Sequence, residues 1–204
     1  MSSGARFSAV TIQNRRERER AERHQLIIDA ARDLAEAEGW DAVTTRRLAE
    51  KVEYSQPVLY SHFKGKEAIV RAVAIQGCGD LARQLRKARP AQGKSRLRAA
   101  AEAYLEFARE RPALYDAMFV QEVDIPFGTD DTPAELRDAF GELVAAVEPV
   151  AGQRDLETLT EVFWSTLHGI ATLTKGKRLR PSHHEARLDL ALRALSLAEQ
   201  EERP

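Results

Sequence analysis

The sequence predicts an all-α protein of about nine helices, a small N-terminal three-helix unit followed by a larger C-terminal helical unit. Apolar residues recur at helical spacing along most of the 204 residues, and no stretch alternates apolar with polar residues as a half-buried strand would. Helix breakers fall between the apolar stripes, at Gly39, Gly65, Pro90, Gly93, Pro112, Gly128, Pro149 and Gly152. The last two stripes are apolar on more than one face, and a chain of this length has little left to cover the second face.

The first helix is expected over Leu26 to Ala37, with Leu26, Ile27, Ala30, Ala31 and Leu34 on one side. Gly39 stops it, and Trp40 is expected to pack beneath the helices that follow. Two short helices come next, the first with Leu48, Ala49 and Val52 inward, the second with Val58, Leu59 and Phe63. Thr44 and Ser55 are the expected N-caps. Pro57 falls in the first turn of the second short helix, where its missing N–H has no intrahelical partner to lose. With the apolar residues inward, that helix displays Gln56, Pro57, Tyr60, Ser61 and His62, an acid-free set that suits a DNA major groove. A helical hairpin inside an ordinary core has the same spacing, and the residues alone leave that alternative open.

Thr45-x-x-Leu48-Ala49 and Ser55-x-x-x-Leu59-Tyr60-x-His62-Phe63-x-x-Lys66-Glu67, preceded by Gly39, closely resemble the DNA-binding domain of TetR-family transcriptional regulators. The resemblance implies an arm over residues 1–19, disordered or helical and basic, a helix-turn-helix DNA-binding domain over 20–80, and a helical ligand-binding and dimerisation domain over 81–204. It implies DNA contacts from Thr45, Arg46, Ser55, Gln56, Pro57, Val58, Tyr60, Ser61, His62 and Lys66. Tyr60 and His62 are expected on phosphate oxygens, and Lys66 at the start of the following helix adds charge beside free N–H groups. Two departures stand out. Glu53-Tyr54-Ser55 replaces the usual Gly-Val-Ser turn, so a positive φ there would strain Glu53, and Pro57-Val58 replaces a Gly-Thr pair, which bears on the bases read.

The formal charge is -1, so a DNA binder must concentrate its positive charge locally. Arg15, Arg16, Arg18, Arg20 and Arg23 crowd the segment before the first helix, interleaved with Glu17, Glu19 and Glu22. That reads as a solvated helical extension, or as an arm reaching phosphates or an adjacent minor groove. Met1 to Thr11 has no sustained apolar run and is expected to be disordered rather than a secretion signal. No stretch approaches the roughly 20 apolar residues needed to cross a bilayer. With its single cysteine, Cys78, expected as a buried small hydrophobe, the chain reads as a soluble cytoplasmic protein.

Beyond Lys64-Gly65-Lys66 a long helix runs through Ile69, Val73 and Leu81 to about Ala88, and Arg89 to Gly93 form a loop. Leu97, Ala100, Ala101, Tyr104, Leu105 and Ala108 make the next helical face. Pro112 opens a short helix carrying Leu114, Tyr115, Met118, Phe119 and Val123, and Asp124 to Thr132 is expected to be a mobile loop. Leu136 to Val147 makes another helix, expected to be stopped by Pro149 and Gly152. The last two helices, about 154–175 and 183–199, are the expected homodimer surface, and TetR-like proteins pair through their last two helices. Phe163-Trp164-Ser165-Thr166-Leu167-His168-Gly169 also resembles a Trp-His-Gly subgroup of TetR C-terminal domains.

These readings predict a ligand-responsive regulator, a repressor that binds a palindromic double-stranded DNA operator as a homodimer. Its effector is an unknown small hydrophobic molecule held by Tyr104, Phe107, Tyr115, Met118, Phe119, Trp164 and His168, with Phe127 nearby; the same side chains could instead simply fill a core. No cofactor, metal site, catalytic residue or membrane partner is expected: metal-ligand spacings, a glycine-rich phosphate loop and a nucleophile elbow are all missing from the sequence. An all-helical protein-binding adaptor explains the apolar last helices but leaves the Gln56 to His62 face without a role. A small helical enzyme would rest on His168.

Overall fold

The structure, a computed structural model, describes the backbone of residues 3–90 and 95–197 and the side chains of residues 13–90 and 95–196. What the sequence suggests for residues 1–2, for the loop at 91–94 and for the chain beyond 197 lies outside these. Nine α-helices and no strand occur among the described residues. They are α1 (Ser3–Glu38), α2 (Thr45–Lys51), α3 (Gln56–His62), α4 (Lys66–Lys87), α5 (Arg96–Glu110), α6 (Pro112–Phe119), α7 (Ala134–Ala151), α8 (Leu156–Lys175) and α9 (His184–Leu197). None is long and apolar enough to cross a membrane.

Helix α1 corrects the expectation of a disordered start, because its backbone is helical from Ser3. Residues 5–38 contain no Gly or Pro and are rich in Ala, Arg, Glu and Gln, so nothing local ends the helix once its C-terminal half has packed. The arginine-rich stretch is its solvated turns, with Arg15 paired to Glu19 at 3.4 Å. The inner stripe is rotated from the expected one: Ile27, Ile28, Ala30, Ala31, Leu34 and Ala35 are buried, and Leu26 is 45% exposed. Gly39 ends the helix at φ 85, its N–H bonding Ala35 O at 2.7 Å.

Helices α1, α2 and α3 close the tripod over Leu48, Ala49, Val52, Leu59 and Phe63, all buried. Helix α4 is the spine. Ile69, Val70, Val73, Ala74, Cys78, Leu81, Ala82 and Leu85 are buried along it, and it passes unbroken through residue 80 from the tripod into the C-terminal helices. Polar pairs fix α1 on it: Gln25 and Gln76 exchange two hydrogen bonds, and Arg32 meets Asp80 at 3.0 Å. Farther along, buried Glu142 of α7 accepts from Arg86 and Arg89, so its charge is fully paired. Burial of Cys78 pushes its thiol up to about 12, as a small hydrophobe rather than a reactive group requires.

Three further expectations are corrected. Helix α6 ends at Phe119, leaving Val123 in the irregular segment. That segment is anchored rather than loose, with Ile125 and Thr132 buried and Thr132 Oγ1 accepting from Thr129 N. Helix α7 continues through Pro149, the first of its two expected stops, and ends at the second, with Ala151 its last residue and Gly152 its C-cap. The carbonyl of Ala145, which the missing proline N–H would have served, is approached instead by Arg96 Nη1 at 3.4 Å.

Candidate nucleic-acid interface and ligand cavity

The outer face of the tripod is built by α2 and α3. Thr44 caps α2, its Oγ1 accepting from Arg47 N at 3.2 Å. The Arg47 guanidinium forks onto Glu38 at 2.8 and 2.7 Å, fixing α2 on the end of α1 and holding the Glu38 carboxyl below its usual range. The turn to α3 places Glu53 at φ 56, the left-handed backbone its glycine-like position requires. Ser55 stands at the N-cap of α3 without a side-chain cap bond, so the helix starts from its backbone carbonyl, which accepts from Val58 N and Leu59 N.

Helix α3 turns Leu59 inward and Gln56, Pro57, Tyr60 and Ser61 outward, with Tyr60 52% exposed and Val58 half-buried. Tyr60 OH lies 3.4 Å from Thr45 Oγ1, a long contact that leaves both hydroxyls with bonding capacity. Ser61 Oγ donates to Val58 O at 2.6 Å and keeps its lone pairs. Arg46 is exposed and leans on Glu50 at 3.0 Å. Two expected contacts are placed differently. His62 is half-buried beside His24, with ring centroids 6.1 Å apart, and its Nδ1 is buried without a partner. Burial first, then His24, Arg20 and Arg23, lower its pKa, so it is neutral at pH 7 and no cationic clamp. Lys66 Nζ donates to Trp40 O at 2.5 Å, bracing the turn behind α2, and Lys64 beside it is exposed.

The second feature is a cavity of about 430 Å³ between the end of α6, the segment after it and α8. Met118, Phe119, Trp164 and His168 line it as the sequence suggested, with Phe127, whose ring stacks over Trp164 at 6.3 Å. Gln121, Val123, Ile125, Ser165 and Gly169 complete the lining. Ser165 and Gly169 lie within the Phe163 to Gly169 stretch singled out in the sequence, but helical spacing from Trp164 does not place them on its face. Phe107 is placed elsewhere, fully buried beneath the Arg111 guanidinium. Tyr104 and Tyr115 stand behind the wall. Trp164 Nε1 donates to Tyr104 OH at 3.0 Å, Tyr104 and Tyr115 hydroxyls are 3.0 Å apart, and Tyr115 OH is 2.7 Å from His168 Nδ1.

Helix α6 joins the two features. Its start is capped by Glu36 of α1, whose carboxylate accepts from Ala113 N at 3.1 Å and Leu114 N at 2.9 Å, while Trp40 Nε1 donates to Ala113 O at 2.7 Å. Its end supplies Met118 and Phe119 to the cavity. Nothing local signals this joint, since Glu36 and Leu114 are 78 residues apart.

Residues 27–73 match the family described as bacterial regulatory proteins, tetR family, and residues 97–195 that described as tetracyclin repressor-like, C-terminal domain. An HTH-type transcriptional regulator of Mycobacterium tuberculosis is 31% identical over 156 residues, 73% of this chain and 68% of that protein. Another, of Bacillus subtilis, is 33% identical over 98 residues, 48% of this chain and 51% of that protein, so the chain spans about half the length of that relative. A solved protein of unknown function from Rhodococcus sp. RHA1 superimposes with a TM-score of 0.69 at 25% identity, covering 85% of this chain and 95% of the other.

Proposed function

The chain belongs to the TetR family of transcriptional regulators, and from that premise we propose that it is a repressor that grips a palindromic operator as a homodimer and releases it when a small apolar molecule fills the α6–α8 cavity. The carrying observation is the acid-free outer face of α3, with Gln56, Pro57, Tyr60 and Ser61 exposed over a buried Leu59. Such a face offers hydrogen-bonding groups to base edges and phosphates without opposing charge. Gln56 and Pro57 read bases; Tyr60, Thr45 and Arg46 hold phosphates and set the register.

Pairing is supported by α8 and α9. Val162 is 50% and Leu190 69% exposed, while Phe163, Leu167, Leu188 and Leu192 of the same helices are buried within the chain. Covering those outward residues with the same helices of a second copy gives an isologous interface. Two α3 helices related by a two-fold axis then meet half-sites about 34–36 Å apart, or a multiple of it.

Release follows from geometry shared by both functions. A molecule that shifts Met118 and Phe119 moves a helix whose other end is bound to Glu36 and Trp40 of the tripod. To turn operator occupancy from nearly full to nearly empty, it must favour the released arrangement by about 5 kcal/mol. Selection of bound fragments from genomic DNA tests the function as a whole. An enriched palindrome with that spacing is expected, and recovery of no common sequence would overturn the reading.

A further inference from the structure

We propose that the molecule taken by the α6–α8 cavity carries a carbonyl oxygen on an otherwise apolar body, and that His168 reads this acceptor with its Nε2–H. The proposal rests on the reading of that cavity as the effector site. The direction of the buried hydrogen bonds behind the wall carries it.

An indole nitrogen can only donate, so Trp164 Nε1–H gives its proton to Tyr104 O at 3.0 Å. The fully buried Tyr104 hydroxyl must then spend its own hydrogen on Tyr115 O, 3.0 Å away, because Trp164 cannot accept it. Tyr115 in turn donates to His168 Nδ1 at 2.7 Å. Running the relay the other way strands a hydroxyl hydrogen in a buried site, which costs about 1–3 kcal/mol. His168 Nδ1 is therefore the acceptor, and the hydrogen of the neutral ring sits on Nε2.

Both phenols stay protonated. Burial raises the Tyr104 hydroxyl well above its ordinary value, and burial first, against a smaller lowering by the Tyr104 hydrogen bond, pushes Tyr115 up to about 12. Burial also lowers the His168 pKa, so the ring is neutral near pH 7. Among the described residues Nε2 has only Thr172 Oγ1, at the 3.5 Å limit of hydrogen bonding. His168 lines the cavity, so this donor remains for a guest. None of the lining side chains is a lysine, arginine or carboxylate, which disfavours an ionic guest, and Phe119, Phe127 and Trp164 supply walls for an apolar body. Trp164, Tyr104 and Tyr115 act as positioning residues for the His168 proton.

Two readouts on the full chain test this. Long-range 15N–1H NMR of the unliganded protein should show His168 with hydrogen on Nε2, and Tyr104→Phe, which breaks the relay while keeping its shape, should mix the two tautomers. A dominant Nδ1–H form in the wild type would overturn the relay. Calorimetry with 2-acetylnaphthalene and 2-ethylnaphthalene, alike in shape but differing in the carbonyl, is the second readout. The ratio of the two affinities should favour the ketone at least tenfold more in the wild type than in His168→Phe, and His168→Gln, which keeps an N–H donor, should recover part of it. Equal ratios in wild type and His168→Phe would sink the proposal and leave the cavity as a ligand site. Binding of neither naphthalene would remove the cavity reading and the proposal with it.

Discussion

Replacing Glu36 by alanine removes both carboxylate contacts at the start of α6, the hydrogen bonds from Ala113 N and Leu114 N. Loss of a helix cap costs about 0.5–2 kcal/mol, and loss of a negative charge at a helix N-terminus adds about 0.3–1 kcal/mol. Water can reach part of this joint, so a net cost of about 1–2 kcal/mol is expected. For a chain of this size each kcal/mol lowers Tm by about 2–4 °C, so the variant should melt about 2–8 °C early. Glu36→Gln, which keeps one acceptor, should fall between. Trp40→Phe attacks the same joint from the other side, leaving Ala113 O without the donor it has at 2.7 Å. Because both changes meet at Ala113, their combination should cost less than the sum. Thermal melts together with amide exchange at Leu114 read the effect. If Glu36→Ala melts with the wild type and Leu114 exchanges no faster, α6 is not held by α1 and the route from cavity to tripod is wrong.

Glu53→Gly should stabilise the protein by about 0.5–1 kcal/mol, because relief of left-handed strain at φ 56 outweighs the extra freedom glycine has when unfolded; a lower Tm would contradict it. His62 has a depressed folded pKa, so the unfolded chain binds more protons below its ordinary value of 6.5, and this contribution to stability is full above 6.5 and shrinks as pH falls toward the folded pKa. His62→Gln should therefore lose less Tm than the wild type between pH 7 and pH 5, read by melts in matched buffers, with Arg20, Arg23 and His24 left in place around the site. Leu190→Glu combined with Val162→Glu should give monomers in sedimentation with little change in helix content, since both residues are exposed within one chain.

The helix-turn-helix was legible because its determinants are local: a cap at Thr44, apolar residues at helical spacing, Pro57 in a first turn and Glu53 where a glycine is usual. The errors have non-local causes. The stripe on α1 could sit in two neighbouring rotations, and packing against α4 decided that Ile28 and Ala35 go in and Leu26 out. Pro149 stays inside α7 with an arginine from α5 beside the freed carbonyl. Packing also sets the surroundings of His62 and Lys66, two of the expected DNA contacts: His62 is half-buried near His24, and Lys66 Nζ donates to Trp40 O. Aromatic residues near the cavity were identified by type, but which of them face it depended on how α5, α6 and α8 meet, so Phe107 fell in the core and Tyr104 and Tyr115 behind the wall.

Gln56→Glu tests most directly whether α3 meets DNA. A carboxylate in the first turn of a helix favours the fold by about 0.3–1 kcal/mol, so Tm should hold or rise slightly. On the operator the same charge replaces the amide that reads a base edge and lies close to the phosphates, and binding should weaken by about 1–3 kcal/mol, roughly 5- to 150-fold. Fluorescence anisotropy with the selected operator, at one fixed salt concentration, measures both proteins side by side. Tighter folding with weaker DNA binding is the predicted result; unchanged operator affinity in a well-folded variant would contradict the central claim.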